Sequence, residues 1–283
     1  MSLNVVGPGM LTLIQDAGRP GLGSSGVGRA GAFDRGALRQ ANLLVGNPAG
    51  TPAFEVLGGG LHLRATHEHV LAVTGAVGAV LVDGQPVEHG RPFVVFADQD
   101  VALGMFDVGL RAYLAVSGGL LAGEVLGSTS TDTLSGLGPP PVAAGAKLRC
   151  GLPSGPSLDG IDVPALIASG STSVDVILGP RDNWFSEAAL ARLLASAWAV
   201  TSTSNRIGIR LDGPELDRAR DDELPSEPCV FGSIQVTSAG LPVVLGPDHP
   251  VTGGYPVIAV VAARHLDRLA QLRPGETLRF RHA

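Results

Sequence analysis

The fold is decided by Phe54–Leu121, FEVLGGGLHLRATHEHVLAVTGAVGAVLVDGQPVEHGRPFVVFADQDVALGMFDVGLRAYLAVSGGLL. Short apolar runs (FEVL, LHLRA, HVLAVTG, AVLVDG, PFVVFAD, VALGMF, RAYLAVSGG) are separated by Gly, Asp and Pro turns, which predicts consecutive antiparallel strands closing into a barrel or sandwich. His67 and His69 alternate onto one strand face without a third ligand in register, so they are expected as solvent-exposed strand histidines and no metal site is expected.

Outward from this stretch, MLTLIQ before DAGRPG reads as a strand, and GLGSSG (Gly21–Gly26) matches GxGxxG literally. Neither a strand-to-helix context nor an acidic residue about 20 positions on supports a dinucleotide site there, so a loop over a ligand is expected. Asp34 is placed to cap a helix over 34–45, whose Ala37, Leu38, Ala41, Leu44 and Val45 share one face, with Gly46-Asn47-Pro48 as the stop. The segment Gly118–Ser173, rich in Gly, Ser, Thr and Pro, reads as a linker between two lobes, and Ser128–Thr133 as a polar loop able to present hydroxyls. Ser186 and Glu187 open a second helix; Trp184 and Phe185 are expected to pack within their lobe. A weak echo between the segment before Val101 and the chain's end, LAQLRPGETLRF, hints at two related lobes. The expectation is a mainly β chain with a few short helices in two lobes, divided as 1–165 and 166–283.

Composition narrows the function. The chain has 283 residues, 40 glycines, 21 prolines and a net charge of −6; with no basic run, a nucleic-acid partner is not expected. No apolar run approaches a bilayer span, and MSLNVVGPGM lacks a leader's pattern, so a cytoplasmic protein without a membrane partner is expected. Cys150 and Cys229 form neither a disulfide framework nor a zinc motif. Lys147, the only lysine, has neither a P-loop around it nor flanking methionines of the biotin-carrier kind, and no Gly/Ser-rich amidase loop lies beside it.

The polar residues with most chemical promise lie between Thr201 and Val261: TSTSNRIGIRLDGPEL, then FGSIQVTSAGLPVVLGPDHPVTGGYPVIAVV. Arg206 can clamp a carboxylate or carboxyphosphate through two bonds. Asn205, Gln235 and the backbone of Gly253 and Gly254 can hold an amide, a ureido group or a developing oxyanion, with Thr252 and Tyr255 beside them. Asp248 is a candidate base or amide-orienting carboxylate. No nucleophile elbow or HExxH helix is present.

SNRIGIRLDGP (Ser204–Pro214), IQV (Ile234–Val236) and DHPVTGGYP (Asp248–Pro256) resemble the carboxyltransferase-type family of allophanate hydrolase subunit 2, also known as the C-type 5-oxoprolinase subunit. This family includes a module of urea amidolyase and the antagonist of a sporulation kinase inhibitor. GMLTLIQDAGRPG (Gly9–Gly21), GAFDRGALRQANLLVGNP (Gly31–Pro48), FEVLGGG (Phe54–Gly60) and HLDRLAQLRPGETLRF (His265–Phe280) extend the resemblance over nearly the whole chain. It implies two cyclophilin-like β-barrel lobes and adds Asp34, Arg35 and Asn42 to the candidate substrate-binding residues. It also implies a protein that works with a B-type (allophanate hydrolase subunit 1-like) partner and an A-type 5-oxoprolinase subunit, opening 5-oxoproline to glutamate with ATP as co-substrate of the complex. The alternatives it carries are biotin-dependent carboxyl transfer to urea, with biotin on a separate carrier, and a non-enzymatic regulator that binds a kinase inhibitor. One departure is Thr237, where family members usually carry proline; a looser turn is expected there.

Overall fold

In the computed structural model, all residues are described except 154, 158–169 and 221. The chain forms two compact units, both mainly β. The first holds Met1–Arg19, Ala30–Asp132 and the described residues from Gly136 to 157; the second holds Pro20–Arg29, Thr133–Ser135 and the chain from Gly170 on. The expected division at 165/166 lies outside the described residues. Pro20–Arg29 and Thr133–Ser135, expected with the N-terminal lobe, group with the second unit.

The first unit is a ten-stranded, barrel-like antiparallel sheet. Its axis is the antiparallel pairing of His69–Val82 with Asp100–Val116, which runs from Leu71 opposite Val116 to Val82 opposite Val101 with bulges between Gly75 and Val80. Ala53–Leu57 and Leu61–Ala65 also pair with Asp100–Val116, and Ser2–Pro8 pairs with Leu61–Ala65. Alternation along the strands buries Leu61, Leu63 and Ala65 with Val101 and Leu103 in one apolar core. Between two strands, Gly59 sits at φ 103°, and a Cβ there would lie 2.1 Å from the Gly104 carbonyl oxygen, so only glycine lets the strands approach. Helix α1 (Arg35–Leu44) is capped by Asp34, whose Oδ1 accepts the Ala37 N–H at 2.8 Å. Its Ala37, Leu38, Ala41 and Leu44 pack on Ala72, Tyr113 and Ala115.

The second unit is a closed seven-stranded barrel. Round the wall run Ser171–Leu178, Val257–Val261, Ser233–Val236, Pro242–Leu245, Gly208–Asp212, Trp198–Val200 and Thr277–His282. A parallel pairing of Ser171–Leu178 with Thr277–His282 closes it, from Ser171 opposite Thr277 to Val176 opposite His282. Closure removes the unpaired edges that an open sheet would expose. Helix α2 (Glu187–Ala195) has Ser186 as its cap, accepting from the Ala189 N–H, and Trp184 and Phe185 are buried as expected. A short helix α3, Leu266–Leu269, precedes the last strand.

Three expectations change. Gly118–Ser173 is not simply a linker: Lys147–Cys150 is a strand paired with Ser2–Pro8, and Ser128–Asp132 is buried against Asp16 rather than a polar surface loop. His69 is buried, its Nε2 3.2 Å from the Ser2 carbonyl, and burial holds its pKa below the usual value. His67 lies in the turn before that strand, bonded to Thr66 Oγ1. The two therefore do not share a strand face, and among the described residues no group of three or more His, Cys, Asp or Glu could hold a metal ion. Finally, the Thr237 turn is not loose. The Thr237 N–H and Oγ1 donate to the Leu241 carbonyl at 3.0 and 3.1 Å, and the Gly240 N–H donates to the Thr237 carbonyl at 3.0 Å.

Candidate functional site

In the second unit, the chain leaving Thr201–Ser204 turns at Asn205. Its Oδ1 accepts the N–H groups of Ile207 and Gly208 at 2.9 and 3.1 Å, an Asx-type turn that starts the strand Gly208–Asp212. The turn directs Arg206 into the protein. There the guanidinium meets Asp248 through two parallel bonds, Nε to Oδ2 at 2.9 Å and Nη2 to Oδ1 at 2.7 Å. Asp248 Oδ2 also accepts the Thr133 N–H at 2.9 Å and its hydroxyl at 2.7 Å. Both charged side chains are buried. Burial of two charges is tolerated only where they neutralise one another and the remaining lone pairs are bonded, which describes this arrangement. The fork that the sequence offered to a ligand carboxylate is thus engaged by Asp248. Asp248, with its donors in place, is a positioned counter-ion rather than an exposed base.

A second group forms where Ser233–Val236 meets Val257–Val261. The buried Gln235 amide donates to the Tyr255 carbonyl at 3.3 Å and approaches Cys229 Sγ at 3.4 Å. Thr252–Gly253 pairs with Glu227–Pro228. Gly253 is close-packed: a Cβ there would stand 2.5 Å from Gln235 Nε2 and 3.1 Å from Cys229 Sγ. Burial, then the charge of Glu227, raises the Cys229 thiol pKa above its ordinary value. Glu227 is itself ion-paired with Arg181. Tyr255 is partly exposed, with the Arg218 guanidinium over its ring at 6.0 Å. Gly254 has open space around it apart from the Leu224 carbonyl at 3.9 Å.

The first unit gathers Asp34 and Asn42 for structural work. The Asp34 N–H donates to the Tyr113 hydroxyl, whose own proton goes to Glu55 Oε2 at 2.6 Å. Asn42 is fully buried, with Nδ2 on the Thr51 carbonyl and Oδ1 accepting from Asn47. Arg35, at the start of α1, is half-buried.

The residues passed over in sequence are more densely bonded. Asp16, at the end of the strand Leu11–Gln15, accepts Ser128 Oγ at 2.6 Å and Ser130 Oγ at 2.5 Å on Oδ1. Its Oδ2 accepts the Thr129 N–H at 2.7 Å, and Oδ1 also takes the Gly18 N–H at 2.7 Å. Burial alone would raise its pKa; the hydroxyls of Ser128 and Ser130 and the Thr129 and Gly18 amides outweigh that and hold it below the usual carboxylate range. Arg19, also buried, donates to the Ser130 carbonyl at 2.6 Å. The signal was present as Asp and Arg in IQDAGR facing the hydroxyl run STST, but sequence spacing does not say that these segments meet.

With two β-rich units, one of them a closed barrel carrying a buried Arg–Asp pair beside a glycine-containing strand, comparison with known proteins becomes informative. The family described as "Carboxyltransferase domain, subdomain A and B" matches residues 25–282, and the chain belongs to it. It is 36% identical over 281 residues to the C-type 5-oxoprolinase subunit of Escherichia coli, covering 98% of this chain and 90% of that one. It is 31% identical to urea amidolyase of Lachancea kluyveri over 99% of its own length but only 17% of the relative's. The crystal structure of the Kluyveromyces lactis urea amidolyase superposes with a TM-score of 0.93 at 29% identity, over 99% of this chain and 18% of that one. The chain therefore spans most of the 5-oxoprolinase relative and less than a fifth of these urea amidolyases.

Proposed function

We propose that this chain is one subunit of a multi-chain, ATP-dependent hydrolase that opens 5-oxoproline to glutamate, acting in the cytoplasm with a B-type (allophanate hydrolase subunit 1-like) partner and an A-type 5-oxoprolinase subunit. The observation that carries this reading is the end-to-end similarity to the C-type 5-oxoprolinase subunit, which reaches 90% of that protein's length. A lactam is a poor electrophile, and ATP supplies the means to activate its oxygen.

Among the described residues, neither Gly21–Gly26 nor the surroundings of Lys147 form a phosphate cradle. Gly21–Gly26 contains only the 3-10 turn Gly23–Ser25, with no strand-to-helix junction to cradle phosphates, and Lys147 stands exposed on a strand. The role we assign to the chain is recognition and positioning. Arg206, held by Asp248, fixes the Asn205 turn. Gln235, Thr252, Gly253, Gly254 and Tyr255 supply amide, hydroxyl and backbone groups suited to a lactam or a developing oxyanion.

A second reading, biotin-dependent carboxyl transfer with biotin on a separate carrier, is favoured by the family's description and by the likeness to urea amidolyase. Glutamate release from 5-oxoproline by the reconstituted subunits separates the two. Activity that requires this chain supports the first; urea carboxylation with a biotinylated carrier, and no glutamate, supports the second.

A further inference from the structure

An open cleft of about 590 Å³ in the second unit is lined by Glu215, Asp217, Arg218 and Arg220 and by the turn from Thr237 to Gly240. Two of its four charges are committed elsewhere. Arg220 pairs with Asp222 and lies over the Trp184 ring at 5.2 Å. Asp217 pairs with Arg192 at 3.1 Å.

Arg218 is different. Its Nη2 donates to the Val236 carbonyl at 2.8 Å and its Cζ lies over the Tyr255 ring. Neither contact neutralises the charge, and among the described residues no carboxylate pairs with it. A carbonyl and a ring together fix the guanidinium plane, so its orientation is set before a ligand arrives. A guanidinium held in this way recognises a carboxylate through two bonds. The Thr237 turn also lines the cleft and is pinned by its bonds to the Leu241 carbonyl.

We infer that this cleft is a binding site for a small carboxylate, with Arg218 as the binding residue. Arg206, the cation first expected in that role, is taken by Asp248. The inference deepens the proposed function and rests on it for the choice of ligand: 5-oxoproline and glutamate share a carboxylate, whereas only glutamate carries an ammonium, for which Glu215 in the same lining is the complementary charge.

The test is calorimetric titration of the full chain with 5-oxoproline, with glutamate and with 2-pyrrolidinone, the lactam lacking the carboxylate. One or both carboxylates bind and 2-pyrrolidinone does not. Arg218→Met weakens binding about 10- to 100-fold, the range for losing hydrogen bonds to a charged group. Ala239→Trp, which fills the cleft from an exposed turn position, does the same. Glu215→Gln weakens glutamate alone if glutamate is the ligand and changes nothing if 5-oxoproline is. The site is overturned if neither carboxylate binds, if 2-pyrrolidinone binds as well, or if folded Ala239→Trp binds like the parent. Glutamate release by the assembled subunits is read separately. Binding without release removes the oxoprolinase reading and keeps the cleft; release at unchanged KM with Arg218→Met removes the cleft and keeps the reading.

Discussion

Arg206 and Asp248, 42 positions apart in sequence, form a two-bond ion pair that is almost wholly removed from solvent, with N–O distances of 2.9 and 2.7 Å. The pair ties the Asn205 turn to the segment that opens DHPVTGGYP, so it holds the two halves of the candidate site in register. Asp248→Asn removes the carboxylate charge from a buried two-bond pair, and a loss of about 3–5 kcal/mol is expected. The double variant Arg206→Met/Asp248→Leu should lose less than the sum of the two single changes. Urea unfolding of the parent, Asp248→Asn, Arg206→Met, Asp248→Leu and the double variant measures both quantities, and strict additivity of Arg206→Met and Asp248→Leu would contradict a coupled pair.

Gly253 predicts an effect on function as well as on stability. In Gly253→Ala the new methyl meets Gln235 Nε2, the free end of a flexible side chain, before it meets backbone. The amide should swing away from the Tyr255 carbonyl at a cost of about 1–3 kcal/mol. Activity in the reconstituted complex should fall by an order of magnitude or more, roughly the 1 Å misplacement penalty of a positioned group. Unchanged activity in a folded variant would remove Gln235 from the site.

Thr237 predicts the cost of the proline expected at this position. Thr237→Pro removes the N–H that donates to the Leu241 carbonyl as well as the hydroxyl bond beside it. A loss of about 0.5–1.5 kcal/mol per bond is expected in chemical denaturation. A stabilised variant would show that proline's rigidity outweighs the two bonds.

Acid sensitivity follows from Asp16. Its folded-state pKa lies below the ordinary value despite burial, because Ser128, Ser130, Thr129 and Gly18 donate to it. A depressed carboxylate contributes stability that is complete above the unfolded-state pKa near 4 and is lost as pH falls through the folded value. Asp175, held at about 2 by Arg264, with His265 and Arg281 adding to the effect against partial desolvation, acts in the same direction in the second unit. Stability should therefore decline between about pH 4 and pH 2, and Asp16→Asn should flatten part of that decline. An unchanged acid limb in Asp16→Asn would place the lost stability elsewhere.

The alternation of FEVL, LHLRA and RAYLAV was enough to predict the strands, because each buried face repeats every second residue. The α1 and α2 caps were equally plain, Asp34 and Ser186 each standing three residues before the amide they bind. Barrel closure was not legible from pattern, since it depends on a parallel pairing between Ser171–Leu178 and Thr277–His282, about a hundred residues apart; resemblance supplied it. The site divided in the same way. Gln235, Gly253 and Tyr255 do converge, whereas Arg206 and Asp248, each a plausible ligand group by residue type, are partners of each other. Asp16, Arg19 and Arg218 carry no sequence signal of their contacts, because their neighbours come from distant segments.

The most direct test of the account is glutamate release from 5-oxoproline, with ATP, by this chain combined with its B- and A-type subunits, against the same mixture without it. Release should depend strictly on this chain and fall by an order of magnitude or more with Gly253→Ala. Equal release when the chain is omitted, or a stable complex that yields no glutamate, would contradict the account.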